Sequence, residues 1–167
     1  MLNYHFGMAD HLKSWQAVIA KGWQANAIDV WETGQPFTVV NPSPRTNTGV
    51  GSDRPNQLRV PHVAVKTNAA WFDTTAFAAQ PLGSLGTTAR NSIYGPHYRH
   101  FDLSLFKDFD LTERAKLQFR TEAFNLTNTP NFGQPGSTMG TSTFGVVSSL
   151  RTNAQPRQLQ LALRLTF

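Results

Sequence analysis

The chain ends in Arg157-Gln158-Leu159-Gln160-Leu161-Ala162-Leu163-Arg164-Leu165-Thr166-Phe167. Leu159, Leu161, Leu163, Leu165 and Phe167 fall on one face of an extended strand; Gln158, Gln160, Ala162, Arg164 and Thr166 fall on the other. Strict period-2 alternation of this kind predicts a β-strand with one wholly apolar side. Such a strand needs a second protein layer over its leucines, or lipid in place of one. At ~3.3 Å per residue and a tilt of ~45°, the segment spans ~25 Å, the height of the apolar band around a transmembrane β-barrel.

Composition is compatible with either environment. The 167 residues favour one domain, are 40% hydrophobic, and carry fifteen Lys and Arg against ten Asp and Glu. Mean hydropathy is -0.34, the ordinary result when strands alternate. No run of ~18 apolar residues is present, which excludes a transmembrane helix. Cysteine is absent, which removes disulfides, zinc-thiolate sites and thiol nucleophiles and suits an oxidising envelope. The net charge of +5 is scattered among Pro, Gly and Asn rather than clustered, so nucleic acid is not expected as a partner.

Leu2, Tyr4, Phe6 and Met8 alternate as a first short strand. Residues 9–21 form a connector in which Leu12, Trp15, Val18 and Ile19 have helical spacing, enough for a turn or two of helix. Residues 22–33 read as a second strand, which residues 36–40 extend. Trp23, Ala25, Ala27, Asp29 and Trp31 share one of its faces, and Asp29 there conflicts with an apolar face. Residues 41–97 are rich in turn signals, with Trp71, Phe72 and Phe77 anchoring local packing. A third strand covers residues 99–107 and a fourth residues 114–125. The tight hairpin between them, residues 108–113, sets Asp102 opposite Arg120 and Ser104 opposite Gln118, and predicts an Asp102–Arg120 pair or a diagonal one. Residues 127–156 are loop, with a short strand over residues 144–149. Long and short connections therefore alternate, as they do between the two ends of an outer-membrane barrel.

Gly22-Trp23-Gln24, Thr33-Gly34-Gln35-Pro36-Phe37-Thr38-Val39, Arg54-Pro55-Asn56, Arg90-Asn91-Ser92-Ile93-Tyr94-Gly95-Pro96 and Phe101-Asp102-Leu103-Ser104-Leu105-Phe106-Lys107 occur in this order. They are followed by Glu113-Arg114, Phe119-Arg120-Thr121-Glu122-Ala123-Phe124-Asn125-Leu126, Asn131-Phe132-Gly133, Phe144-Gly145 and the final strand. The ordered set resembles the carboxyl-terminal part of TonB-dependent receptors of the Oar-like type, abundant in acidobacteria. The resemblance implies a barrel of about 22 strands with a plug in its lumen, located in the bacterial cell outer membrane and transporting a ligand. On this reading residues 1–167 supply about the last five strands of an all-β antiparallel barrel with long extracellular loops. The plug, the TonB box and a signal peptide are then expected to lie outside this sequence, because residues 1–4 lack the features of an export signal.

The resemblance also implies partners: outer-membrane lipid and lipopolysaccharide, the barrel-assembly machinery, an unknown transported ligand, and TonB through amino-terminal parts. Arg45, Arg54, Arg59 and Arg90 are the basic loop residues offered to lipopolysaccharide or an acidic ligand. Phe167 resembles the terminal aromatic by which such barrels are recognised for assembly. Asp102, Ser104, Gln118, Arg120, Glu122, Gln158, Gln160 and Arg164 are expected to face the lumen, with Arg120 and Glu122 in a salt-bridge ladder. Phe101, Leu103, Leu105, Leu117, Phe119, Leu159, Leu161, Leu163 and Leu165 are expected to face lipid.

No constellation supports an enzyme, a metal or a cofactor. His97 and His100 lack a third ligand at useful spacing. Gly49-Val50-Gly51 lacks the context of a dinucleotide loop. Asn125-Leu126-Thr127 matches a glycosylation triplet, which carries little meaning in a bacterial chain. Two other readings remain open: a passive outer-membrane channel or adhesin barrel, and a soluble β-sandwich carbohydrate-binding module.

Overall fold

The computed structural model describes residues 2–5, 14–49 and 51–167. In chain order the elements are β1 (Leu2–His5), α1 (Ser14–Ala20), β2 (Trp23–Glu32), β3 (Pro36–Phe37), β4 (Asn56–Gln57), a 3-10 turn (Thr74–Ala76), β5 (Phe77–Ala78), β6 (Ile93–Tyr94), β7 (Tyr98–Asp110), β8 (Lys116–Phe124) and β9 (Gln158–Thr166). Phe6 and Met8 of the expected first strand, and residues 9–13 of the connector, lie outside the described residues. The remainder of that connector forms α1.

The chain divides into two compact units. The first holds one five-stranded sheet in the order β1-β2-β7-β8-β9. β1 pairs with β2, β7 with β8, and β8 with β9, each antiparallel. The third strand is longer than expected, running to Asp110 instead of ending at residue 107. The turn is therefore residues 111–115, not 108–113. Thr112 stabilises the turn at this place. Its hydroxyl accepts from the backbone N–H groups of Arg114 and Ala115, while the Leu111 and Thr112 N–H groups donate to the Ala115 carbonyl. A hydroxyl that satisfies turn amides releases the preceding residues to continue the ladder.

The register moves accordingly. Ser104 lies opposite Glu122 rather than Gln118, and Phe106 rather than Asp102 lies opposite Arg120. The expected Asp102–Arg120 pair does not form. The slip along β8 is four residues, an even number, so every side chain keeps its expected face.

The second unit comprises Glu32–Tyr98 and Asn131–Ala154. β3 does not extend β2; it pairs with β6, Phe37 opposite Ile93. β4 pairs with β5. The expected strand at residues 144–149 is not formed: Phe144 joins only an isolated bridge, with Gly136. The anticipated packing around Trp71, Phe72 and Phe77 is present but draws on more of the chain. Phe72 centres the cluster, with ring centroids 6.0 Å from Phe37, 5.9 Å from Phe77 and 5.3 Å from Phe144. Val39, Ala76 and Ile93 complete the buried core.

Close backbone approach fixes this unit. A Cβ on Gly34 would stand 1.8 Å from the Gly95 carbonyl oxygen, so only glycine fits beside the β3–β6 pair. Asp53 organises the neighbouring loop. Its carboxylate accepts from the backbone N–H groups of Arg45 and Thr46 and from the Thr46 hydroxyl. The two backbone bonds hold its pKa below the ordinary carboxylate value.

Two outcomes are expected. Phe72→Ala should destabilise the second unit by ~3–5 kcal/mol, seen as faster proteolytic cleavage within residues 33–98. Asp53 should stabilise the same unit fully above the ordinary carboxylate range, and this contribution should disappear as pH falls through its lowered pKa. Asp53→Asn should flatten that acid-side loss of protease resistance; an unchanged pH profile would remove Asp53 as its source.

Candidate functional site

The chemically distinctive feature of the first unit is the contrast between the two faces of its sheet. Even-numbered positions of β7, β8 and β9 carry Asp102, Ser104, Phe106 and Asp108, then Gln118, Arg120 and Glu122, then Gln158, Gln160, Ala162 and Arg164. The β7–β8 and β8–β9 registers set Glu122 opposite Ser104 and Gln160, and Gln118 opposite Asp108 and Arg164.

Side-chain contacts join some of these residues within β7 and β8. Gln118 Nε2 donates to Asp108 Oδ1 at 2.8 Å. Arg120 pairs with Glu122 at 3.2 Å, and its guanidinium lies 4.7 Å from the Phe106 ring centroid, a cation–π contact with its cross-strand neighbour. An Arg120–Glu122 pair is therefore present where a salt-bridge ladder was expected, with Phe106 as a partner that the residue pattern did not assign. Asp102 is engaged elsewhere: His100 Nε2 lies 2.7 Å from its Oδ1, which also accepts from the Asn125 N–H at 2.8 Å.

Asn125 closes the far end of β8. It adopts a left-handed backbone, φ 48°, a conformation Asn tolerates better than most residues. Its amide nitrogen donates to the Thr129 and Gln155 carbonyls, and its Oδ1 accepts from the Thr129 N–H. Asn125 is thus a positioning residue for the loop.

Odd-numbered positions carry Phe101, Leu103, Leu105, Leu117, Phe119 and the leucines of β9. In register, Leu117 lies opposite Leu165, Phe119 opposite Leu163, and Ala123 opposite Leu159. Leu159, Leu161, Leu163 and Leu165 are 56–70% exposed. Fully burying one such side chain is worth about 1.5–3 kcal/mol, so four left in water would forfeit about 6–12 kcal/mol. That approaches the whole stability of an ordinary domain.

The odd face also holds three charges, all placed toward its ends. Arg99 lies 3.9 Å from Asp29 and over the Trp31 ring at 5.5 Å, which gives Asp29 a partner on the face where it conflicted with its neighbours. Lys107 is only 3% exposed. Its Nζ donates to the carbonyls of Val18, at 2.8 Å, and of Lys21, and it stands 5.5 Å from the Trp23 ring and 5.0 Å from that of Phe109.

In the second unit, three of the four candidate loop arginines serve internal bonds. Arg45 Nε donates to the Gln80 carbonyl, Arg54 Nη1 to that of Thr88, and Arg59 pairs with Asp73 at 2.8 Å. A surface cavity of about 660 Å³ is lined by Pro44, Arg45, Asn47, Gly49, Leu82 and Gly83. Among the described residues, no group of three or more His, Asp or Glu side chains is placed to hold a metal, and no helix is long and apolar enough to cross a membrane.

A family model described as an outer membrane beta barrel domain matches residues 3–160. No curated protein and no solved structure matches the chain. The match runs from within β1 to the first part of β9, and the antiparallel sheet it covers has one polar face and one face with exposed leucines. The chain belongs to the outer membrane β-barrel domain family and is a protein of the bacterial outer membrane.

Proposed function

We propose that residues 1–167 form the carboxyl-terminal portion of the barrel of a TonB-dependent transporter of the Oar-like type, taking up a ligand across the outer membrane. The observation that carries the membrane half of this reading is the division of β7–β9 into a polar face, bonded within β7 and β8, and an apolar face whose β9 leucines are exposed. On this reading Asp102, Ser104, Gln118, Arg120, Glu122, Gln158, Gln160 and Arg164 face the lumen. Phe101, Leu103, Leu105, Leu117, Phe119, Leu159, Leu161, Leu163 and Leu165 face lipid. A polar lumen beside an alternating apolar exterior is the general pattern of such barrels.

The transporter half rests on the ordered motifs. Two of them meet in the second unit, residues 33–39 and 90–96: Gly34 stands against Gly95 and Phe37 opposite Ile93. Residues 33–97 and 131–154 would then be preformed extracellular loops, where an incoming ligand is met. The plug and TonB box belong to other parts of the parent protein. Phe167, 94% exposed beyond the end of β9, would be offered to the assembly machinery.

Two measurements test the two halves. Leu161→Arg places a charge in lipid near the bilayer midplane and should cost ~2–4 kcal/mol, whereas Ala162→Arg adds to a polar lumen. Heat-modifiable gel mobility of isolated outer membranes should show less folded barrel for Leu161→Arg and near-normal amounts for Ala162→Arg. Equal tolerance would remove the assignment of the leucine face to lipid. For transport, cells carrying the parent gene should accumulate its ligand only when TonB is present. Equal accumulation without TonB would favour a passive channel.

A further inference from the structure

The sequence places Trp15, Val18 and Ile19 on one side of a helix, at i, i+3 and i+4. In α1 these three side chains are 64%, 58% and 61% exposed. The helix is nevertheless held firmly at its carboxyl-terminal end. Lys107 Nζ, from the leucine face of the sheet, bonds the Val18 and Lys21 carbonyls, and Trp23 Nε1 donates to the Ile19 carbonyl at 2.7 Å. A cation is well placed there, since the last carbonyls of a helix are unsatisfied and negative. The helix is thus pinned through its backbone and keeps its apolar side outward.

Its position along the sheet is equally defined. Lys107 lies opposite Phe119, which lies opposite Leu163, one row beyond the Leu105, Thr121 and Leu161 row on the same face. Val18, Lys21 and Gly22 line one cavity with Asp108, Phe109, Asp110 and Leu111, beside the five-residue hairpin turn. Short turns mark the periplasmic end of an outer-membrane barrel.

We propose that α1 is an interfacial helix that seats Trp15, Val18 and Ile19 in the phospholipid headgroup region of the periplasmic leaflet. The inference rests on the reading that the leucine face of the sheet lies in lipid. The apolar side of α1 adjoins that face across Trp23 and Lys107, toward its periplasmic end. An interfacial helix buries its apolar side a short way into the boundary between headgroups and acyl chains, and tryptophan favours that depth. Lys107 can occupy the same border because the helix carbonyls replace water around its ammonium group, which otherwise would reach for the interface.

Residues 1–167 contain no cysteine, so single-cysteine variants of the parent protein, with any cysteine elsewhere replaced by serine, can carry a nitroxide spin label in isolated outer membranes. Val18→Cys and Ile19→Cys report on the helix, Leu161→Cys and Ala162→Cys on the two sheet faces, and Thr112→Cys on the water-exposed turn. Heat-modifiable mobility confirms that each variant is folded. The ratio of collisions with oxygen to collisions with a water-soluble nickel chelate measures depth. The ratio at residues 18 and 19 is expected to fall between the high value at 161 and the low value at 112. Values at 18 and 19 equal to that at 112, with 161 still high, would overturn the interfacial helix and leave the lipid face standing. Labels at 18 and 19 shielded from both colliders would show protein, not lipid, over the helix and would also overturn it. A ratio at 161 no higher than at 162 would remove the lipid face and the inference with it.

Discussion

Exposed leucine in a two-faced strand is tolerable only where water is absent. β9 displays four leucines on one side and Gln158, Gln160 and Arg164 on the other, so the leucines need a covering layer, of protein or of lipid, that the polar side does not share. The same constraint reaches the neighbouring strands through the ladder. Leu117, Phe119 and Ala123 align with the leucines, while Gln118, Arg120 and Glu122 align with the polar positions. On the proposed placement, hydrocarbon on one side and a polar lumen on the other resolve the conflict, and the backbone bonds of the antiparallel ladder satisfy groups that lipid cannot. The outer-membrane family membership is the sequence-wide counterpart of this local physics.

The second unit obeys different rules. Its strands are only two residues long, too short to stabilise themselves. It is held by an aromatic cluster around Phe72, a backbone contact that only glycine permits at Gly34, and a carboxylate, Asp53, that gathers loop amides. Loops built this way present a preformed surface. A ligand meeting such a surface loses less affinity to ordering than it would on a floppy one.

Parity was legible in the residues and register was not. The alternation in β7, β8 and β9 assigns every side chain to a face with no knowledge of its partner. The register depends on where the hairpin turns, and the turn lies where the Thr112 hydroxyl meets the Arg114 and Ala115 amides, in a segment whose Asp108 and Asp110 resemble turn formers just as well. Trp71, Phe72 and Phe77 announced a local core, but Val39, Ile93 and Phe144 reach it through tertiary packing that no short-range pattern encodes. Lys107 was the least visible. Its oxygen partners are backbone carbonyls of Val18 and Lys21, and a carbonyl has no residue type to betray it.

The even slip between β7 and β8 bears on how such a sheet can change over time. A hairpin can lengthen its strands at the expense of its turn, or gain residues in pairs, and each leucine remains on its own side. One inserted residue inside β8 would exchange Leu117, Phe119 and Ala123 with Gln118, Arg120 and Glu122 for the rest of the strand, or force a bulge to absorb it. Length variation among relatives of this sheet should therefore gather at residues 111–115 and come in twos wherever it enters a strand.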